Sequence, residues 1–557
     1  MNLKKTFVQK KLFLSDGVLL VFIIIIATSY NFQANLAPTY LLTVILLAIL
    51  WFFLRICFSL FHPLIKFTAY IILLIGLIEA IWGLGQLYNY FPSGHALFKT
   101  TGSFFNSGPY GGFIALMFPL TLHYWLYFKH KNKPFAYIFM FIGVVCMMVF
   151  PATLSRTAWI AAIAGCGLVL IFDTRIIVRL QIFRKQHQKR FALYLIILSI
   201  IIVGTLYGVY TLKKDSANGR LFMWKITALA IKDSPIDGVG LGGFPASYAK
   251  AQMEYFKSGK ASETEKLVAG SPEYAFNEYL RIFLEQGVIG GVLFLLLAII
   301  IIRSGIKNRQ TGAAGSFLAL SVFAFASYPF YLWEFLVIWV FLGTISVSKT
   351  GKYSLSSLDK SNTNRKRYIP AFLLLGVFIT GWLICAKYQN SYFQANKEWR
   401  KLRSLYTMKA YESIVDEYEQ LYPKLNYNPK FVFEYAVALN ATEQRPKANS
   451  VLSRGLQLSC DPMFYNIKGR NHHEMGEYNK AETAYTHSTY LLPERIYPYY
   501  LLTKLYADSA NYHYEKMYQA ASAVLEKEPK VHSMAINEMR DEVRKILKEK
   551  KEITYEK

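Results

Sequence analysis

Long apolar runs, each closed by a short polar connection, organise this chain up to about residue 387. Val18 to Ala27, Leu41 to Phe53, Ile71 to Ile81, Ala192 to Tyr207 and Val288 to Ile302 lie in segments nearly free of charge. Within them the apolar positions are continuous and not spaced in threes and fours, which predicts helices that are apolar all round. With their flanks they reach the roughly 20 residues needed to cross a hydrocarbon core. The pattern predicts about eleven spans, at 13–30, 38–59, 65–85, 108–128, 135–151, 156–172, 191–210, 286–302, 312–328, 331–347 and 368–387. Tyr328-Pro329-Phe330 separates the ninth from the tenth, because proline disfavours a helical residue before it.

Two polar stretches are long enough to be structures of their own. Residues 211–285 form a loop between the seventh and eighth spans, in which Leu221 to Ile231 reads as an amphipathic helix ending at Asp233-Ser234-Pro235. Gly238, Gly240, Gly242 and Gly243 then predict a flexible turn. A patterned loop of that length is more often functional than connecting. The second stretch, 388–557, changes to helical periodicity with many aromatics. Its residues Tyr465, Gly469, Gly476, Tyr478, Ala481, Tyr485 and Pro493 keep spacing that resembles the tetratricopeptide repeat. That resemblance implies about four helical hairpins, since a single repeat cannot bury its faces. The expected organisation is a membrane domain over 1–387 and an outer helical-repeat domain over 388–557, all-α throughout.

Composition agrees with this division: 54% of residues are hydrophobic and 16% aromatic, too apolar for an ordinary soluble enzyme. The net charge of +26 is a matter of distribution. Lysine and arginine gather at Lys129, Lys131 and Lys133, at Arg175 to Arg190, at Arg303, Lys307 and Arg309, and at Lys349 to Arg367. The alternate connections near 31–37, 85–107 and 151–155 carry almost none. That alternation is the positive-inside rule, so the charge describes topology and not nucleic-acid binding. It predicts a cytoplasmic N-terminus, a bacterial inner membrane and an outer-facing C-terminal domain. Met-Asn-Leu-Lys-Lys resembles the start of a signal peptide, yet no small-residue cleavage site follows Ala27, and it reads as a retained first helix. Of five cysteines, Cys57, Cys146, Cys166 and Cys385 fall in spans and Cys460 stands apart, with no CxxC pair to hold zinc.

Three outward-facing stretches carry the chemistry. The first is Gly102-Ser103-Phe104-Phe105-Asn106-Ser107-Gly108-Pro109-Tyr110. The second is Leu154-Ser155-Arg156-Thr157-Ala158-Trp159. The third lies in the loop: Asn218-Gly219-Arg220 with Trp224, then Gly238 to Phe244, then Phe276-Asn277-Glu278-Tyr279-Leu280 and Glu285-Gln286-Gly287. In order and topology these resemble the superfamily of O-antigen ligases, O-antigen polymerases and bacterial protein O-oligosaccharyltransferases, over roughly residues 60–345. The resemblance implies a multi-span glycosyltransferase fold of the C type. It also implies transfer of a glycan from an undecaprenyl-pyrophosphate carrier to an acceptor hydroxyl on lipid A-core, glycan or protein, without nucleotide sugar, cofactor or metal.

Elementary chemistry supports parts of that expectation. A pyrophosphate is at least dianionic, and guanidinium grips it bidentately, so Arg156 and Arg220 are the candidate pyrophosphate ligands. A snorkelling interfacial anchor is the ordinary alternative for Arg156. Asn106, Trp224, Gly240, Gly242 and Asn277 are the candidate substrate-loop residues. Arg281, near the membrane, reads as structural. By resemblance a histidine precedes the asparagine of the third stretch and acts as base, but here that position is Phe276, which cannot take a proton. Glu278, Glu273 and His95 are the candidate bases in that order, since a desolvated carboxylate has its pKa raised towards a useful range. Pairing with lysine or helix capping are the ordinary roles of those carboxylates. The glycines at 238–243 follow no apolar strand, which argues against a nucleotide site. The aromatics of these stretches can stack on sugars or belong to the interfacial belt.

Two other function classes fit parts of the pattern. A non-catalytic envelope scaffold would recruit a protein partner through the helical repeats. A transporter would need acidic groups within its spans, where Glu79 and Glu334 stand nearly alone.

Overall fold

The computed structural model describes residues 14–194, 196–197, 199–200, 204, 214–349, 365–529 and 531–555. The N-terminal Met1 to Lys5, most of the expected seventh span at 191–210 and the basic residues Lys352 and Lys360 lie outside them. Among the described residues the fold is helical, with one isolated bridge pairing His95 and Phe98 and no strand. Six helices are long and apolar enough to cross a membrane: Pro38–Leu60, Pro63–Leu87, Ser107–Phe128, Lys133–Thr153, Arg156–Asp173 and Glu278–Lys307. Leu14–Ser29, Thr311–Phe325 and Trp333–Val347 are apolar but shorter. A 3-10 turn at Pro329–Tyr331 parts the last two.

The chain divides into two compact units. The first holds residues up to Thr28, Tyr40–Lys214 and Ala275–Lys387; the second holds Ser29–Thr39, Asp215–Tyr274 and Tyr388–Lys557. The outer loop therefore folds with the C-terminal helices, and the long helix Arg365–Thr407 passes from one unit to the other at Lys387.

In the first unit, small residues set the packing. A Cβ on Gly165 would lie 2.5 Å from the Gly315 carbonyl oxygen, so the helices Arg156–Asp173 and Thr311–Phe325 touch backbone to backbone. Lipid tails are as apolar as leucine, and membrane helices gain by this close approach more than by hydrophobic exclusion. Two charged clusters in these helices are paired. Asp16 accepts from Trp51 Nε1 at 2.9 Å and Arg55 Nε at 3.2 Å, and Arg55 also donates to Ser348. His123 meets Asp173 at 2.6 Å, with Thr311 donating to the other carboxylate oxygen.

At the expected eighth span the helix runs from Glu278, eight residues before the expected 286, and includes Glu278, Arg281 and Glu285. The Asn277 side chain caps its first turn, accepting from Leu280 N at 3.1 Å. Gly287, with φ 65°, breaks the helix next to the expected start of the span.

The second unit is built on tyrosine and glycine. The expected amphipathic helix at 221–231 extends over Lys214–Asp233. At the glycine turn Gly238, Gly240 and Gly242 all take positive φ, and a Cβ on Gly242 would meet Ala37 Cβ at 2.8 Å. That turn is held against residues 29–37 and is not a flexible linker. Among the C-terminal helices, a Cβ on Gly469 would sit 2.5 Å from the Tyr485 ring, so this glycine is what admits Tyr485 between Met463–Glu474 and Tyr478–Leu491. Gly476, at φ 74°, turns the chain between them. Gln252 Nε2 donates to the Leu491 carbonyl at 2.7 Å, and the Cys460 thiol to that of Pro272, tying loop to C-terminal helices.

Within the loop, Glu265 closes a polar knot. Burial works against its charge, but the Lys225 ammonium at 2.6 Å, the Ser262 N–H and the Tyr255 hydroxyl outweigh it and hold the carboxyl down at about 2. A carboxyl whose pKa is depressed on folding contributes stability that is complete above its unfolded value near 4.3 and is lost as pH falls towards 2. Glu265→Gln removes that contribution. Thermal unfolding of the detergent-solubilised protein should show wild type more stable than the variant at pH 7, with the gap closing as pH is lowered from 5 to 3.

Candidate functional site

The three stretches singled out in the sequence lie at helix N-termini. Asn106 precedes Ser107–Ala115, Ser155 precedes Arg156–Asp173, and Asn277 precedes Glu278–Lys307. Each of these continuous or merged spans ends at a basic connection: Ser107–Phe128 at Lys129 to Lys133, Arg156–Asp173 at Arg175, and Glu278–Lys307 at Lys307 and Arg309. The motif ends are therefore the ends away from the lysines and arginines.

Packing brings the three ends together. Gly111, one turn into the first helix, approaches the second stretch so closely that a Cβ would meet Thr153 Oγ1 at 2.8 Å and Ser155 Cβ at 3.0 Å. The Thr100 hydroxyl donates to the Ala152 carbonyl at 3.2 Å. Tyr328 joins the first stretch to the third, its ring 6.4 Å from Phe105 and 5.0 Å, edge on, from Phe276. Phe276 sits in the left-handed region with φ 49°, unusual for a bulky residue.

The first stretch is fixed from beneath by side chains on Pro63–Leu87. Gln86 accepts from the N–H groups of Thr101 and Gly102 at 2.8 Å and donates to the Gly102 carbonyl at 3.0 Å. Glu79 accepts from Ser103 N at 3.0 Å and Ser103 Oγ at 2.7 Å. Gly102 has φ 55°, and a Cβ there would strike Tyr110 and Glu79 at 2.5 Å. No side chain fits.

The caps differ in one respect. Asn106 accepts from Gly108 N at 2.9 Å and Asn277 from Leu280 N, so both use their side chains on their own helices. Ser155 makes no such bond. The first-turn N–H groups of Arg156–Asp173 are thus not capped by that side chain, and the helix opens with a guanidinium at its first position. Backbone N–H groups, the positive end of the helix dipole and an arginine form an arrangement suited to a phosphate.

The other predicted residues fall as follows. Glu278 is buried and spends both oxygens: one on Arg281 Nε at 2.6 Å, the other on the Phe330 N–H at 3.0 Å. Arg281 also binds Glu285 at 2.8 Å and donates to Tyr40 OH at 3.3 Å, with the Tyr331 ring 4.8 Å away. A carboxylate in such a pair is a poor proton acceptor. His95 is half-buried, and its Nδ1 accepts from Leu97 N at 3.0 Å, which leaves Nε2 to carry the neutral ring's hydrogen. Glu273 is exposed. Arg220 and Trp224, both partly buried, lie within the helix Lys214–Asp233 in the second unit, where Glu273, Gly240 and Gly242 also belong; Arg156, Asn106, Asn277, Glu278 and His95 belong to the first. No group of three or more His, Cys, Asp or Glu that could hold a metal ion occurs among the described residues. Sequence reasoning passed over Gln86, Glu79 and Tyr328 as parts of the site. A lone carboxylate about two turns from the end of an apolar span was the signal for Glu79.

Comparison with known proteins adds a family. Residues 146–295 match the family model described as O-Antigen ligase, a segment that contains the second and third stretches. Members of that family are glycosyltransferase- and ligase-like enzymes, and the match together with the apolar helices indicates a multi-pass membrane protein. An uncharacterized protein of Haemophilus influenzae is 24% identical over 208 residues, which make up 34% of this chain. The match spans about half, 48%, of that relative.

The buried group around Arg281 carries two carboxylates on one guanidinium. Replacing the arginine leaves both unpaired inside the bundle, which costs about 3–5 kcal/mol. Arg281→Met should lower the midpoint of thermal unfolding in detergent and the amount of protein recovered from membranes. Arg281→Met combined with Glu278→Gln and Glu285→Gln should recover much of the loss.

Proposed function

We propose that this protein transfers a glycan from a polyprenyl-pyrophosphate carrier to an acceptor hydroxyl on the outer face of the inner membrane, as an O-antigen ligase-like enzyme. The observation that carries the reading is Arg156 at the head of a helix whose cap residue leaves the first-turn N–H groups to another partner, beside two other motif-bearing helix ends. In this reading eleven spans put those ends in the outer leaflet, and the C-terminal helices are tetratricopeptide-like and periplasmic.

The acceptor oxygen attacks the anomeric carbon of the carrier-linked sugar while the bond from that carbon to the pyrophosphate oxygen breaks. Arg156, with Arg220 from the loop, binds the pyrophosphate and stabilises the charge that grows on it as it leaves. Such stabilisation by fixed donors is the main source of rate where the leaving group is good. The acceptor proton passes to a carboxylate. Glu278 is committed to Arg281 and His95 has its lone pair on Leu97, so Glu273, the exposed carboxylate of the three and a hydrogen-bond partner of the Tyr274 hydroxyl, is the proposed base. No metal or nucleotide sugar enters the scheme. Asn106, Asn277, Trp224, Gly240 and Gly242 shape the stretches that meet the substrate.

Polymerisation of repeat units and transfer to protein hydroxyls use the same donor chemistry and differ in the acceptor. A deletion strain complemented with variants separates them when lipopolysaccharide ladder, capsule and glycoproteins are scored individually. Arg156→Ala should reduce the affected product by about 10²-fold, the order seen when one transition-state donor is removed, at unchanged protein abundance. Arg156→Lys should restore only part. Full glycan display in both variants would leave the scaffold reading in its place.

A further inference from the structure

The second unit contains a cavity of about 630 Å³ that lies between the loop helix Phe244–Lys257 and the C-terminal helix Tyr478–Leu491. Its size falls within the range of small-molecule sites. Lys250, Met253, Glu254 and Lys257 form one wall, and Asn479, Glu482, Thr483, Thr486, His487 and Tyr490 the other.

The charges in it are unevenly matched. Lys250 is shared between Asp233 at 3.3 Å and Glu254 at 3.9 Å. Glu482 is taken up by Lys516 Nζ and Tyr506 OH, each at 2.8 Å. Lys257 forms no ion pair among the described residues, yet it lies within electrostatic reach of His487, as does Lys468 from the helix Met463–Glu474. Burial and then those two ammonium groups push the His487 imidazole below its ordinary value, and burial alone pulls Lys468 down. Lys257 and His487 line the void, and an anion placed in it is held by the Lys257 ammonium and favours the protonated form of His487. The rest of the lining is hydroxyl and amide, with Tyr490 the lone aromatic on the wall and Tyr465 set edge-on to His487 at 5.4 Å. Only Met253 is purely apolar, which does not suit a greasy peptide side chain or a lipid.

We propose that this cavity binds an acidic saccharide, its carboxylate against Lys257 and His487 and its hydroxyls on Asn479, Thr483, Thr486 and Tyr490. The choice of a sugar rests on the glycan-transfer reading; the choice of an anion rests on the cavity alone. The site would hold a segment of the donor or acceptor glycan away from the reacting bond, and would favour chains that contain uronic or other carboxylated sugars.

Titration calorimetry on the full-length protein in detergent tests this with three probes: trigalacturonic acid, maltotriose and hexaglutamate. Trigalacturonic acid should bind, maltotriose at least tenfold more weakly, and Lys257→Gln should weaken the acidic sugar about tenfold. Of the groups lining the cavity, Lys250, Glu254, Lys257, Glu482, His487 and Tyr490, with Lys468 within electrostatic reach of the histidine, only the histidine titrates near neutrality by residue type. Affinity for the acidic sugar should therefore rise from pH 7.5 to 5.5 in wild type and stay flat in His487→Gln. Failure of trigalacturonic acid to bind, equal binding of maltotriose, indifference to both substitutions, or equal binding of hexaglutamate would each overturn the proposal. Arg156→Ala keeps the sugar affinity if the cavity is as described. A protein that binds trigalacturonic acid but transfers no glycan refutes the transferase reading alone.

Discussion

The first four N–H groups of any helix have no partner within it, and in a membrane nothing around the helix supplies one. In this chain three such open ends meet at one end of the first unit, each carrying one of the polar stretches that interrupt the apolar pattern. Two are closed by asparagine side chains. The third begins with Ser155 and Arg156, and the Ser155 side chain does not cap it. The apolar bundle, the glycine contacts and the Arg281 cluster all hold that set of ends in place.

The supports are of different kinds and each is local. Gln86 and Glu79 hold the first stretch by hydrogen bonds to its backbone, so its conformation is set by the helix beneath it. Gly111 lets the second stretch come into contact. Tyr328 fills the space between the phenylalanines of the first and third. Glu278, which the sequence offers as a base, is instead a strut: with Arg281 and Phe330 N it fastens the start of the last helix to the turn at Pro329–Tyr331.

Much of this was legible in the sequence because membrane-crossing length, basic connections and helix caps are local properties. Most apolar runs in the described residues coincide with helices, although the one expected at 368–387 continues to Thr407, and Pro329 marks the break between two of them. Ahead of the break at Gly287 the helix continues back to Glu278 against its hydropathy, since Glu278 and Glu285 share the Arg281 guanidinium only when folded. Pairing across a helical turn is invisible to a hydropathy average. The membership of the loop was hidden for a similar reason. Gln252 reaches Leu491 across 239 residues of sequence, and no periodicity in either segment signals it. The spacing around Gly469 and Tyr485 did announce a helical hairpin, because a glycine opposite a tyrosine is a local fit.

The central claim is that Arg156 meets a phosphorylated lipid on the side of the bilayer away from the basic connections. Leu154, exposed at 58% beside that arginine, and Lys131, at the opposite end of the bundle, provide the two probes. Each is replaced by cysteine in turn, and a membrane-impermeant maleimide is applied to cells whose outer barrier alone has been opened. The account predicts that Leu154→Cys is labelled in those cells and Lys131→Cys only after the inner membrane is broken. Labelling in the reverse order would put the arginine in the cytoplasm and contradict it.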